Sequence, residues 1–103
     1  MTCKLRFKEE ALKEWSRLDS AVKAQFKKKL AERLDHPRVP SARLSGHFSE
    51  HKDRYKIKLR SRGFRLVYEV RDTELVVVVV AVGKREWDAV YRAADRRQIF
   101  EER

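Results

Sequence analysis

Basic residues alternate with apolar ones in the stretch RYKIKLR, which begins at residue 54. Lys56, Lys58 and Arg60 share one parity, and each residue between them is apolar. In a β-strand this spacing sends the two sets of side chains to opposite faces. Grouped cations can hold a phosphate, and a lysine that has lost its proton can act as a base. The stretch therefore predicts a sheet face suited to chemistry on a phosphate.

Further candidates follow later in the chain. Arg65 lies on the predicted partner strand, Lys84 and Arg85 come just past the next strand, and Tyr91 lies one to two helical turns beyond. RNA can cut itself through its own 2′-hydroxyl, so an enzyme needs only to remove that proton, stabilise the phosphorane and protonate the departing 5′-oxygen. Nearby like charges favour a neutral lysine, whereas arginine keeps its proton and is better suited to stabilising the phosphate. This chemistry needs no metal and no other cofactor.

The same residues have simpler interpretations. A charge-rich strand face can be merely solvated, and Tyr91 can be a half-buried helix aromatic instead of a base-stacking residue. His47 and His51 are four residues apart, as metal ligands on a helix can be. Their loop context and the lack of a third ligand argue against a metal site.

Composition narrows the class of protein. The chain has 103 residues, a formal charge of +10 and 42% hydrophobic residues, which predicts one folded domain over residues 1–103. The excess of positive charge makes nucleic acid the first candidate partner, although a membrane surface or an acidic protein would satisfy the same electrostatics. Cys3 is the only cysteine, which suits a reducing compartment. With no signal-like segment and no apolar run near ~20 residues, we expect a cytoplasmic protein without a membrane span.

Hydrophobic periodicity predicts the first half of the fold. Alternation over residues 2 to 8 indicates a short strand whose wet face carries Lys4, Arg6 and Lys8. Helical spacing follows, with a plausible N-cap at Asp19-Ser20 dividing it into a helix hairpin. The two predicted apolar stripes consist of Ala11, Leu12, Trp15 and Leu18, and of Val22, Phe26, Leu30 and Leu34. Residues 37 to 53 are predicted to be a loop.

The second half is predicted to be a hairpin, a central strand and a last helix. A two-residue loop at Arg62-Gly63 would pair Arg60 with Arg65 and Lys56 with Glu69. Glu69, with Asp53, would then partly neutralise the cationic side chains. The uniformly apolar run over residues 75 to 82 predicts a strand covered on both faces, and residues 87 to 101 predict a helix.

Several motifs resemble those of the RelE family of type II toxins, the ribosome-dependent mRNA interferases. They are ALKEW and FKKKL in the two helices, YKIKLRSRGFRLVYEV in the hairpin, and VGKRE followed by Tyr91. The resemblance implies an α+β, RelE-like microbial RNase fold of β-α-α-β-β-β-α order, with an antiparallel-rich four-stranded sheet. The chain departs from the family in the segment SGHFSEHKDRYK, which is longer than the connection expected before the hairpin.

The resemblance also implies roles for individual residues. Lys56 and Lys58 match the two hairpin lysines, with Lys58 as the favoured base, and Arg65 matches the phosphate stabiliser. Arg85 matches the proposed acid, and Tyr91 matches the residue that stacks on the substrate base. Arg60 and Lys84 are expected to bind RNA. Some related toxins use a Glu and a His as acid and base, an arrangement that His47 or His51 could mimic.

The implied activity is cleavage of mRNA in the ribosomal A site, giving a 2′,3′-cyclic phosphate and a 5′-hydroxyl and so inhibiting translation. The implied partners are the ribosome with its rRNA, mRNA and a RelB-like antitoxin, with operator DNA bound only through the antitoxin complex. Two other functions stay open on the same fold: a non-enzymatic ParE-like gyrase inhibitor, and a basic RNA-binding interaction module.

Overall fold

The computed structural model describes residues 3–44, 53–59, 63–71 and 76–84. In chain order the elements are β1 (Lys4–Phe7), α1 (Glu9–Ser16), α2 (Ser20–Asp35), a 3-10 helix (Pro40–Ala42), β2 (Arg54–Leu59), β3 (Phe64–Arg71) and β4 (Val76–Lys84). This order confirms the predicted α+β fold as far as the fourth strand. The helix predicted over residues 87 to 101 lies outside the described residues.

The described strands form one sheet in the order β1-β4-β3-β2. β1 pairs in parallel with β4, and β3 is antiparallel to both β4 and β2. The valine-rich strand β4 is therefore central, as predicted. Its residues on both parities are buried, from Val76 through Val82, so both faces of this strand are covered.

The two helices pack against one face of the sheet. Asp19 is the N-cap of α2, and its Oδ1 accepts a hydrogen bond of 2.9 Å from the Val22 N–H, which confirms the predicted break between the helices. Val22, Phe26 and Leu30 recur every four residues and are almost completely buried. Their stripe joins the apolar residues of the sheet in a single hydrophobic cluster.

The prediction of which side chains of the first strand are exposed and which are buried is only partly correct. Lys8, predicted to be wet, is 8% exposed, and its N–H donates to the Val79 carbonyl at 2.9 Å. Leu5, predicted to be apolar-facing, is 37% exposed, as is Leu12 in α1. The strand ends at Phe7 and the chain turns at Lys8 into α1, so the alternation cannot be extended through Lys8.

The predicted register of the hairpin was wrong by two residues. Lys58, not Arg60, lies opposite Arg65, and Leu59 pairs with Phe64, so four residues separate the last paired positions. Gly63 has a φ of +69° at the end of this connection, a conformation that favours glycine. Because side chains alternate with a period of two, a shift of two residues leaves every side chain on its predicted face.

None of the helices among the described residues is long and apolar enough to cross a membrane.

Candidate functional site

Three of the predicted site residues lie together on the hairpin, on the sheet face that points away from the two helices. Lys58 is directly opposite Arg65, and Lys56 is two residues earlier on the same parity of β2. Directly opposite residues have Cβ atoms about 5 Å apart. All three side chains are half-buried. We call Lys56, Lys58 and Arg65 the cationic face.

Lys84 is placed elsewhere. Its partner in the sheet is Phe64, which shares the helix-facing parity of β3, and its ammonium lies 6.0 Å from the Phe64 ring centroid. The structure therefore does not bring Lys84 onto the cationic face. The other predicted site residues lie outside the described residues: Arg60, Arg85, Tyr91, His47 and His51.

Glu69 does not pair with Lys56, which corrects the predicted cross-strand pair. It lies opposite Arg54, and the Arg54 Nε is 3.0 Å from the Glu69 Oε1. The Arg71 Nε is 3.7 Å from the other carboxylate oxygen. Since the Arg54 side chain is 1% exposed, Glu69 serves as the counter-ion of a buried guanidinium.

Asp53 is likewise directed at arginines of the preceding segment. Its Oδ2 lies 2.6 Å from the Arg38 Nη2, and its Oδ1 lies 3.0 Å from the Arg43 Nη1. Lys56 has no carboxylate within ion-pair distance among the described residues. The two acids that were predicted to neutralise the cationic face therefore pair with other cations.

Arg33 of α2 reaches the same region and was not predicted. Its Nη1 donates to the Lys56 carbonyl at 3.3 Å and to the Tyr68 hydroxyl at 2.8 Å. The Tyr68 hydroxyl in turn donates to the Pro37 carbonyl at 2.6 Å. A signal was present in the sequence: Arg33 is three residues after Leu30, a spacing that continues the buried stripe of α2.

Burial fixes the protonation of the two stacked tyrosines behind the hairpin. The rings of Tyr55 and Tyr68 are 5.7 Å apart. Burial raises the pKa of Tyr68, against a smaller lowering effect of the Arg33 hydrogen bond, and burial followed by the contact with Asp53 raises the pKa of Tyr55. Both phenols therefore keep their protons at neutral pH, and the Tyr68 hydroxyl can donate as it accepts.

A pocket of about 310 Å³ lies beside the cationic face. It lies where the C-terminal half of α2, the 3-10 helix and β2 meet. The described residues that line it are Arg33, Ser41, Ala42, Lys56 and Lys58. Two residues of the cationic face therefore also line a concave space that could receive part of a ligand.

The class of the protein follows from comparing the whole chain, with its two-helix hairpin and its cationic face, with known families. Residues 5–89 match the family described as ParE toxin of type II toxin-antitoxin system, parDE.

The chain is 53% identical over 93 residues to the mRNA interferase toxin RelE of Escherichia coli K12, covering 90% of this chain and 94% of that protein. A variant of E. coli RelE in the free state has a similar structure, with a TM-score of 0.80 and 51% identity over 91% of this chain and 95% of that one. RelE in the intact E. coli RelBE toxin-antitoxin complex gives a TM-score of 0.75 and 52% identity over 82% of this chain and 98% of that one. This protein belongs to the RelE family, within the RelE/ParE superfamily of type II toxins.

Proposed function

We propose that this protein is a ribosome-dependent mRNA interferase, a toxin that cuts mRNA in the ribosomal A site and so stops translation. The observation that carries the proposal is the pairing of Lys58 with Arg65 on a face that Lys56 extends. Cations in this arrangement suit a reaction whose transition state gathers negative charge on a phosphate. The 53% identity to a protein named mRNA interferase supports the same activity.

The proposed reaction uses the substrate's own 2′-hydroxyl as nucleophile. The 2′-oxygen forms a bond to the adjacent phosphorus while the bond from phosphorus to the 5′-oxygen breaks. The 2′-hydroxyl proton passes to a base, and the departing 5′-oxygen receives a proton from an acid. The products are a 2′,3′-cyclic phosphate and a 5′-hydroxyl.

Each residue of the proposed site has a role that its chemistry allows. Lys58 is the base, in a form that has already lost its proton, and the guanidinium of Arg65 opposite it stabilises the phosphorane. Lys56 binds the same phosphate. Arg85 as acid and Tyr91 as the base-stacking residue complete the proposal, with Arg60 and Lys84 binding RNA, and these four assignments rest on the family resemblance.

The proposed partner is a RelB-like antitoxin, since the E. coli relative has been crystallised in an intact RelBE complex. In the cytoplasm the antitoxin would neutralise the toxin until it is removed, and operator DNA would be bound only by the toxin-antitoxin complex.

Primer extension on mRNA in a purified translation system tests the activity. Wild-type protein and the Arg65→Ala and Arg85→Ala variants are compared with and without ribosomes, after circular dichroism has shown that each is folded. Cuts that require ribosomes and both arginines support the proposal. Cuts without ribosomes would indicate a free ribonuclease, and no cuts by folded wild-type protein would favour a gyrase inhibitor or a binding module.

A further inference from the structure

The pocket beside the cationic face is lined by residues that suit an anion. Among the lining residues that the structure describes, three are cationic (Arg33, Lys56 and Lys58), Ser41 adds a hydroxyl, and none is acidic. Its volume of about 310 Å³ is at the small end of the range for ligand pockets, about 300–1,000 Å³. The space therefore fits a phosphate with part of a sugar or base.

Arg33 is held in place before any ligand arrives. One of its nitrogens, Nη1, is fixed by the Lys56 carbonyl and the Tyr68 hydroxyl. Its guanidinium carbon lies 5.7 Å from the Tyr68 ring centroid. Within the described part of the chain no carboxylate lies within ion-pair distance of Arg33. A half-buried guanidinium with no counter-ion among the described residues, and with N–H groups beyond the two bonds of Nη1, is suited to binding an anion.

The outer edge of β2 is joined to the segment that forms the other wall of the pocket. The Lys56 carbonyl points away from β3, toward Arg33. The Leu44 N–H donates to the Arg54 carbonyl at 3.0 Å, and Arg43 pairs with Tyr55 in an antiparallel bridge. Backbone pairing therefore holds the segment that carries Ser41 and Ala42 next to Lys56.

We propose that this pocket binds an uncleaved phosphodiester of the substrate RNA, next to the one that is cut, with Arg33 as its main ligand. This proposal rests on the proposed function. RNA is favoured over an acidic protein segment because Lys56 and Lys58 belong to both the pocket and the cationic face. Because the pocket and the cationic face share these two residues, one RNA strand can occupy both.

The test places a negative charge in the pocket without disturbing the bonds of Arg33. Ser41 is exposed and lines the pocket, so Ser41→Glu introduces a carboxylate there. Ser20→Glu is the matched control: Ser20 is also exposed, and it begins α2 about 20 Å along the helix from Arg33. The full chain is titrated with a trinucleotide RNA whose 2′-hydroxyls are methylated to prevent cleavage. Backbone amide signals are followed by NMR.

We expect the amides of Ser41, Ala42 and Lys56 to shift in the wild type and in Ser20→Glu. Ser41→Glu should weaken the RNA affinity by about tenfold or more, because it sets a carboxylate against a phosphate. Equal affinities of the two variants, or shifts confined to other amides, would overturn the proposal. So would a hexaglutamate peptide that shifts these amides while the RNA does not, since the pocket would then suit an acidic protein segment.

Ribosome-dependent cleavage measured on the same preparations separates this proposal from the proposed function. If the wild type cuts mRNA on ribosomes but the pocket amides do not respond to RNA, only the phosphate subsite is wrong. If these amides respond but no mRNA is cut, the proposed function is wrong, and with it the position of the subsite next to a cut, while the phosphate binding itself stands.

Discussion

At one end of the β2–β3 hairpin Arg54 lies opposite Glu69, and at the other end Lys58 lies opposite Arg65. All four side chains belong to the same face of the same two strands. Arg54 is buried and has its counter-ion at 3.0 Å, whereas Lys58 and Arg65 are half-buried like charges set side by side. Like charges directly opposite each other destabilise a sheet, and opposite charges support it. From this comparison we expect one end of the hairpin to contribute mainly to stability and the other mainly to the proposed binding of a polyanion.

The largest expected effect comes from breaking the buried pair. Glu69→Gln removes the charge of a counter-ion that lies 3.0 Å from the buried Arg54 guanidinium, and we expect the free energy of unfolding to fall by about 3–5 kcal/mol. Urea denaturation followed by circular dichroism measures this change. The comparison is Glu10→Gln, which removes a partner of Lys8; because the Glu10 side chain is 55% exposed to water, we expect a smaller loss than for Glu69→Gln. Similar losses in the two variants would contradict the structural role of Glu69.

Removing a charge at the Lys58–Arg65 end of the hairpin should lower the cleavage rate and leave the stability almost unchanged. Arg65→Ala is expected to reduce ribosome-dependent cleavage by about 10²–10³-fold, since it removes a group that would stabilise the phosphorane. Its free energy of unfolding should stay within about 1 kcal/mol of wild type, because a like-charge neighbour of Lys58 is lost. Single-turnover cleavage on stalled ribosomes measures the rate.

Arg71→Ala is the matched control for Arg65→Ala. Arg71 lies on the same strand and the same parity as Arg65, and its Nε is 3.7 Å from a carboxylate oxygen of Glu69. We expect this variant to cut mRNA at close to the wild-type rate. If both alanine variants lose activity alike, the effect reflects overall charge, and the contrast between the two ends disappears.

A smaller effect is expected from the hydroxyl behind the hairpin. Tyr68→Phe removes the acceptor of the Arg33 hydrogen bond and the donor to the Pro37 carbonyl. Leaving these groups with one partner fewer should cost about 1–3 kcal/mol of unfolding free energy. Tyr55→Phe is the comparison: the Tyr55 hydroxyl contacts Asp53 and lies 3.5 Å from the Arg43 Nη1, and because water also reaches both of these side chains its loss should cost less. Equal losses would indicate that ring packing, not the hydroxyl network, sets the stability.

The same tyrosine predicts a pH dependence. Burial raises the pKa of Tyr68 above its ordinary value of 10.0, so the folded state holds the phenolic proton more tightly than the unfolded state. The resulting stability is fully present below about pH 10 and is lost as the pH rises through the folded-state pKa. Unfolding free energies measured from pH 8 to 11 should fall at the alkaline end, and the fall should be shallower in Tyr68→Phe. An identical slope in the variant would contradict this assignment.

Local periodicity predicted the parts of the site that do not depend on register. The alternation around Lys56 and Lys58 indicated which side chains share a face, and a shift of two residues does not change that. Asp19 was recognisable as an N-cap because the capping bond is made within three residues. The sequence could not predict that Arg54 is buried, because Arg54 has the same parity on β2 as the half-buried Lys56. A hydrogen-bond acceptor of Arg54, Glu69, lies fifteen residues later in the chain.

The sequence by itself determined the order of the elements, the central position of the valine strand and the grouping of cations on one face of the hairpin. These follow from spacing and composition, which act over a few residues. Only the tertiary structure decided that Lys58 faces Arg65, that Glu69 belongs to Arg54, and that Arg33 reaches from α2 to the carbonyl of Lys56. Pairings of this kind depend on register and on helix docking. A periodic pattern leaves both undetermined, because several registers bury the same apolar side chains.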